Sequence, residues 1–383
     1  MKFIAKTLFG LEKVLVEELI ALGAMDVSQA NRAVMFSGNK ELLYRVNYCS
    51  RCALSVLVLV SGFRIKSKDD LYTNTRRIDW SAIMNADQTF SVVPVINSEL
   101  FGHTGFPGLV VKDAVADYFR KKTGKRPSVS AADPDVQINV HISHENVTIS
   151  LDSSVIPLFK RGYRAEQGEA PLNEVLAAGI LMISGWEASC SLADPMCGSG
   201  TIPIEAGLIA CNVPPGKFRQ FFGFTRWKDY DDELFNRVKK DCENQIRKSG
   251  VFISCSDISE TAVKQARANI EKAGLTEQIS VSIADFKDIR PVDKNNFIIL
   301  NPPYGQRMKP DDIGLLYSMI GTTLKHHCAG SRAWLITSGK EYLKNIGLKP
   351  KVKHTLYNGA LECILAGYEL YEGTRKTHQE PRS

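Results

Sequence analysis

Four residues, Asn301-Pro302-Pro303-Tyr304, end the apolar run Phe297-Ile298-Ile299-Leu300. Their chemistry suits an exocyclic amine on a planar ring. Such a nitrogen is a poor nucleophile because its lone pair is delocalised into the ring. An enzyme must hold both N–H bonds with acceptors and leave the lone pair aimed at an electrophile. Asn301 offers a side-chain carbonyl and Pro302 a backbone carbonyl. Consecutive prolines fix φ and remove two backbone donors, leaving a rigid rim of acceptors. Tyr304 can stack on a base, a contact worth roughly 1–3 kcal/mol. No strong base is needed, because the alkylated nitrogen sheds its proton readily; positioning and electrostatics would supply the rate. Taken alone, the four residues also fit a plain strand end with a proline turn.

A second stretch, Asp194-Pro-Met-Cys-Gly-Ser-Gly-Thr201, follows a strand signal and opens a helix signal. Gly198 and Gly200 permit positive φ and close backbone approach to a ligand, and the helix start offers free N–H groups. No Lys-Ser/Thr pair follows the glycines, so this is not a P-loop. Pro203 stands where a dinucleotide fingerprint has its third glycine. Asp194 at the strand end would repel phosphate and suits a cationic amine or ribose hydroxyls. Asp257 and Asp285 end the next two strand signals, Val251–Ser256 and Ser280–Ala284. In an open parallel sheet the carboxyl ends of the strands line the ligand crevice. Each acid alone more often caps a turn. Together they can serve an amino-acid ammonium, a ribose diol and an adenine amine, the needs of S-adenosylmethionine, whose product is S-adenosyl-L-homocysteine.

These residues need a frame. From about residue 160 strands alternate with helices of 10–15 residues, the grammar of a parallel α/β sheet. The expected helices include Asn173–Ile183, Ile202–Ala210, Asp231–Lys248, Thr261–Ala273 and Ile313–His326. An aromatic, proline-bearing insertion, Val213–Asp229, interrupts the alternation. Asn358-Gly359 between two β-rich runs predicts a terminal hairpin. The first ~60 residues are expected to run strand, helix, strand, helix, strand. Between 61 and 155, strand signals at Gln88–Ile96, Val136–His141 and Asn146–Leu151 flank an amphipathic helix, Val110–Lys122. That helix ends in Arg120, Lys121, Lys122, Lys125 and Arg126. The cluster fits either a solvated helix end favoured by the dipole or a nucleic-acid contact. Arg161 and Arg164, near the junction of the two halves, join it as candidate RNA contacts.

At 383 residues the chain exceeds one ordinary domain, and 44% apolar with 23% charged content is that of soluble globular proteins. No apolar run approaches the ~20 residues needed to span a bilayer. The N-terminus lacks a signal-peptide core. Nine scattered cysteines, odd in number, argue for reduced thiols rather than a disulfide framework. A cytoplasmic protein is therefore expected. Cys49-Ser-Arg-Cys52 has no second pair or histidine couple nearby, so no metal site is expected. The net charge of +6 is uneven: residues 1–165 hold 21 Lys and Arg against 16 Asp and Glu, and the remainder 27 against 26. A preference for a polyanion would reside in the first half.

With these motifs in view, the second half resembles a class I S-adenosylmethionine-dependent (Rossmann-like) methyltransferase. The finer likeness is to THUMP-containing amino-methyltransferases similar to the bacterial 23S rRNA guanine-N2 enzymes, a group often catalogued as N6-adenine-specific DNA methylases. Lys160-Arg-Gly-Tyr-Arg164, Ala170-Pro-Leu-Asn-Glu174 and Tyr357-Asn-Gly-Ala-Leu-Glu-Cys363 carry that likeness. It implies an α/β fold in three parts: a ferredoxin-like domain over 1–60, a THUMP RNA-binding domain over 61–160, both α+β, and a methyltransferase domain over 161–383. The last would hold a mostly parallel seven-stranded sheet ending in an antiparallel hairpin. The resemblance also implies that Asp194, Cys197, Gly198 and Gly200 border the methionine part of the cofactor. Asp257 and Ile258 would serve the ribose end, Asp285 and Phe286 the adenine, and Asn173 would help close the site. Cys197 is read as a small cleft residue, not a nucleophile. Asn301 through Tyr304 would hold the target amine. The expected reaction is methylation of an exocyclic base nitrogen in RNA, guanine N2 of large-subunit rRNA foremost. Adenine-N6 methylation of DNA or RNA, protein glutamine methylation and a non-catalytic RNA-binding role are the alternatives.

Overall fold

The computed structural model describes all residues except 104, 166–171, 291–295, 304–309 and 373–383. The first half supplies β1 (Lys2–Lys6), α1 (Glu12–Ala21), β2 (Met25–Ala30), β3 (Ala33–Ser37), α2 (Lys40–Cys49) and β4 (Ser55–Arg64). It continues with α3 (Lys68–Arg76), α4 (Trp80–Ile83), β5 (Phe90–Asn97), α5 (Phe106–Thr123), β6 (Val136–Ser143) and β7 (Asn146–Asp152). The strands form one seven-stranded sheet in the order β2-β3-β1-β4-β7-β6-β5. Only β5 and β6 pair in parallel.

β4 explains why one sheet spans two expected segments. Its first part pairs with β1 and its longer part with β7, with a register shift between Leu59 and Ser61. The strand therefore crosses the boundary expected at residues 60 and 61. Contacts divide the chain into two compact units, one of residues 1–7, 15–160 and 219–242, the other of the remainder. The aromatic insertion accounts for the return of 219–242. Phe224 stacks on Tyr44 with ring centroids 4.4 Å apart, and Phe235 meets the same ring edge-on at 5.5 Å. Burying large aromatic rings against α2 holds this segment in the first unit.

The second half adds α6 (Glu174–Ile183), β8 (Leu192–Asp194), α7 (Thr201–Ala210), α8 (Asp232–Glu243), β9 (Ile253–Asp257), α9 (Glu260–Lys272) and β10 (Ile279–Ile283). There follow β11 (Phe297–Leu300), α10 (Pro310–His327), β12 (Arg332–Thr337), β13 (Val352–Asn358) and β14 (Leu361–Glu369). Their sheet has the order β10-β9-β8-β11-β12-β14-β13. It is parallel from β10 to β12 and closes on an antiparallel pair, β14 with β12 and with β13. This is the α/β sheet the sequence implies. All four residues of β11 are buried, and Ile298 and Leu300 pack with Tyr317, Ile320 and Leu335. A strand covered on both faces reads as an unbroken apolar run. Strand order reverses between β8 and β11, where Phe297 pairs with Leu192 and Ile298 with Ala193. Ligand crevices of open α/β sheets form at such a reversal. No helix among the described residues is long and apolar enough to cross a membrane.

Candidate active site

Three loops leave the carboxyl ends of β8, β9 and β10 and meet at that reversal. After β8, Gly198 and Gly200 take φ of 53° and 83°, and a Cβ on Gly200 would sit 3.2 Å from the Ala266 Cβ of α9. Glycine suits both positions, because side chains disfavour the left-handed region. The turn is pinned to the neighbouring strand. Cys197 N–H donates to Ser256 O at 3.0 Å, and Gly198 N–H to Asp257 Oδ2 at 2.9 Å. The other Asp257 oxygen accepts from Ser259 N–H at 2.9 Å.

Asp194 is 1% exposed and accepts only a 3.3 Å bond from Met196 N–H among the described residues. Burial, with a lesser contribution from the Asp257 charge, pushes its carboxyl up to about 8. Asp285 behaves oppositely. It caps the short turn Phe286–Asp288, and the Lys287 backbone N–H at 3.1 Å, with the Lys287 ammonium at 3.0 Å, holds it below the usual carboxylate range. Cys197 is buried, and its hydrogen bond with Cys255 together with burial pushes the thiol up. A nucleophilic cysteine needs the opposite shift.

These loops enclose a cavity of about 540 Å³. Of the expected site residues, Asp194, Cys197, Gly198, Asp257, Ile258, Asp285, Phe286, Asn301 and Pro303 line it. Gly200 stands behind the turn, and Pro302 is buried beneath the rim. Asn173 acts as the N-cap of α6, accepting from Val175 N–H at 2.9 Å and Leu176 N–H at 3.3 Å, while its neighbour Leu172 lines the cavity. Tyr304 lies outside the described residues. The sequence reading missed Ala262 and Gln265 on α9 and Leu316 and Met319 on α10, which also line the cavity. Each pair has the i, i+3 spacing that puts two side chains on one helix face, a signal available in the sequence.

Asn301 carries the most informative atom. Its Oδ1 is buried and has no hydrogen-bond partner among the described residues. A buried acceptor left unpaired is destabilising by about 1–3 kcal/mol, and this one belongs to a residue that lines the cavity.

The basic cluster lies in the first unit. Arg120 pairs with Asp117 at 3.1 Å, Lys122 with Asp79 at 3.3 Å, Lys125 with Asp87 at 2.9 Å and Arg126 with Asp113 at 3.3 Å. Exposed pairs of this kind contribute about 0–1 kcal/mol, so phosphates could displace them. Lys121 has no carboxylate partner among the described residues. It lines a groove between α3 and α5 with Tyr72, Arg76, Arg77, Tyr118 and Lys122.

Arg161 and Arg164 do not belong with that cluster. Arg161 is 1% exposed and faces the buried Glu205 at 3.4 Å. Arg164 directs its guanidinium inward to Glu174 at 2.5 Å. Both cations are thus paired within the protein, Arg161 buried and Arg164 part-buried. A buried guanidinium requires a buried carboxylate, and both partners lie on helices of the second unit. No group of three or more His, Cys, Asp or Glu placed to hold a metal occurs among the described residues.

Three family models match the chain. They describe an RMKL-like methyltransferase domain over residues 161–366, a THUMP domain over 66–152 and an RlmL ferredoxin-like domain over 2–57. Curated relatives include the ribosomal RNA large subunit methyltransferases K/L of Syntrophotalea carbinolica, 36% identical over 97% of this chain, and Methylococcus capsulatus, 38% identical over 96%. The alignments cover 54% and 51% of those proteins, so the chain spans about half the length of the curated relatives it matches. Among solved structures, a possible methylase from Clostridium difficile 630 superposes with a TM-score of 0.88 at 32% identity, covering 98% of this chain and 99% of that one. A candidate methyltransferase complexed with SAH gives a TM-score of 0.88 at 27% identity, covering 97% and 99%.

Proposed function

We infer, from the premise that this chain belongs to the RMKL-like methyltransferase family and carries THUMP and RlmL ferredoxin-like domains, that it methylates RNA with S-adenosylmethionine. The residues present fit that cofactor. The cavity volume of about 540 Å³ lies within the roughly 300–1,000 Å³ of small-molecule sites. A buried, protonated carboxyl at Asp194 becomes a strong acceptor once a cationic ammonium lets it ionise. Asp257 and Ile258 would hold the ribose end, and Asp285 and Phe286 the adenine, with Asp285 already anionic and able to accept from an amine.

Bound there, the cofactor supplies a methyl group on a sulfonium. The chain's own task is to present a nitrogen to it. Asn301 Oδ1 would accept one N–H of an exocyclic amine and the Pro302 carbonyl the other, which orients the lone pair. Pro303, at the cavity rim, excludes water from the same side. The unpaired buried Oδ1 of Asn301, a residue that lines one cavity with Asp194, is the observation that carries this reading.

The finer proposal is guanine N2 of large-subunit rRNA: the curated relatives' name supports the large-subunit rRNA, and the guanine N2 part rests on the motifs resembling the guanine-N2 group. The RNA would have to present its base unstacked. The groove between α3 and α5 is the proposed RNA contact, with Lys121, Arg76 and Arg77 on phosphates and Tyr72 or Tyr118 beside a base. The test uses purified protein, methyl-labelled S-adenosylmethionine, and RNA, DNA and protein from a strain lacking the enzyme. Label is expected in large-subunit rRNA, recovered as N2-methylguanosine. Label in DNA alone would refute RNA as substrate, and N6-methyladenosine in the RNA would refute guanine.

A further inference from the structure

We propose that Arg164 is a positioning residue that shapes the cofactor turn without touching the cofactor. The proposal rests on the S-adenosylmethionine reading above. Arg164 does not line the cavity, yet its guanidinium reaches three residues that do. It donates to Leu172 O at 2.9 Å, Thr201 Oγ1 at 3.0 Å and Ser199 Oγ at 3.3 Å, while its Nε meets Glu174 Oε1 at 2.5 Å. One side chain thus ties the segment before α6 to the glycine turn before α7.

The turn needs such an external hold. Gly198 and Gly200 give it the conformations it requires but also the freedom to leave them. A second tether comes from Asn269 on α9, which is fully buried. Its Nδ2 donates to Ser199 O at 3.0 Å, and its Oδ1 accepts from the N–H of Ala165, the residue after Arg164, at 2.8 Å. Ser199 is therefore gripped by hydroxyl and carbonyl from two directions, both leading back to residues 164 and 165. Only arginine has a planar fork able to serve four acceptors in this spread. Lysine keeps the charge beside Glu174 but cannot reach all of them.

Cofactor affinity should then depend on Arg164, and turnover at saturation should not. For Arg164→Lys, we expect the calorimetric Kd for S-adenosylhomocysteine and the KM for S-adenosylmethionine to rise by about tenfold or more. We expect kcat within about threefold of wild type. Ser199→Ala with Thr201→Val removes the turn's acceptors while leaving the Arg164–Glu174 pair in place. It should shift Kd in the same direction, and adding Arg164→Lys should do less than the two effects multiplied, because they share bonds. This second variant decides the matter if the first does not fold. Kd within twofold of wild type, or a fall in kcat with Kd unchanged, overturns the proposal. Wild-type protein that fails to bind S-adenosylhomocysteine overturns the cofactor reading itself.

Discussion

Replacing Asp194 by asparagine should make the ligand-free protein more stable at pH 8 while removing its affinity for the cofactor. The carboxyl is 1% exposed, has a single 3.3 Å bond from Met196 N–H among the described residues, and is pushed up to about 8 by burial and the Asp257 charge. The sign follows from proton counts. Between the ordinary value of 3.8 and about 8 the folded protein holds a proton that the unfolded chain has released. Stability therefore falls as pH rises through that window and levels off above it. At about 1.36 kcal/mol per pKa unit the ceiling is about 5–6 kcal/mol. Water in the adjoining cavity reduces it, and a penalty of about 1–3 kcal/mol is the working figure. The substituted amide has no charge to desolvate, so the melting difference between variant and wild type should widen from pH 4 to 8 and then stay flat. For a domain of this size each kcal/mol shifts Tm by about 2–4 °C. Cofactor binding supplies the complementary reading. At pH 7 a group with a pKa of about 8 is about nine-tenths protonated, so placing an ammonium against Asp194 should release about 0.9 proton. Titration calorimetry in buffers of different ionisation enthalpy measures that number. A melting difference independent of pH, or binding with no proton release, would refute the reasoning.

Asn301→Ala should leave the Kd for S-adenosylhomocysteine within about twofold and lower the methylation rate by about 10²–10³, the usual loss for one preorganised polar contact. A matching loss of S-adenosylhomocysteine affinity would mean that the carbonyl serves the cofactor and not the amine. Reversing charge in the groove, with Arg76→Glu and Lys121→Glu together, should raise KM for RNA and lower the slope of log affinity against log salt by about two. Cofactor binding should be untouched, and an unchanged salt slope would remove the groove from the RNA interface.

The middle of the second sheet was legible because β11 and β12 are buried almost throughout and write themselves as apolar runs; β11, with every residue buried, is the clearest case. β2 shows the converse. Four of the residues in Met25–Ala30 are exposed and none is buried, so no periodicity existed to detect. α3 was missed despite a local signal, the capping box of Ser67 and Asp70. The burial of the arginines was illegible for a different reason. Arg161 and Arg164 have the composition of a surface patch, and only the carboxylates of Glu205 and Glu174, brought near by folding, reveal them as interior ions.

Strand order is the piece that no local pattern encodes, and it sharpens the chemistry. Along the chain the acids come as Asp194, Asp257 and Asp285, with Asn301 after Asp285. In the sheet β11 lies beside β8, so the sequence of strand ends runs Asp285, Asp257, Asp194, Asn301. The acid whose strand adjoins that of Asn301, the residue proposed to bind the amine, is thus the buried one proposed for the ammonium, and the acid proposed for adenine is farthest along the sheet. A methionine sulfonium joins the amino-acid end to the nucleoside. On the proposed roles, an amine held by Asn301 would therefore lie on the methionine side of the cavity, whereas chain order alone would place Asn301 next to the adenine acid.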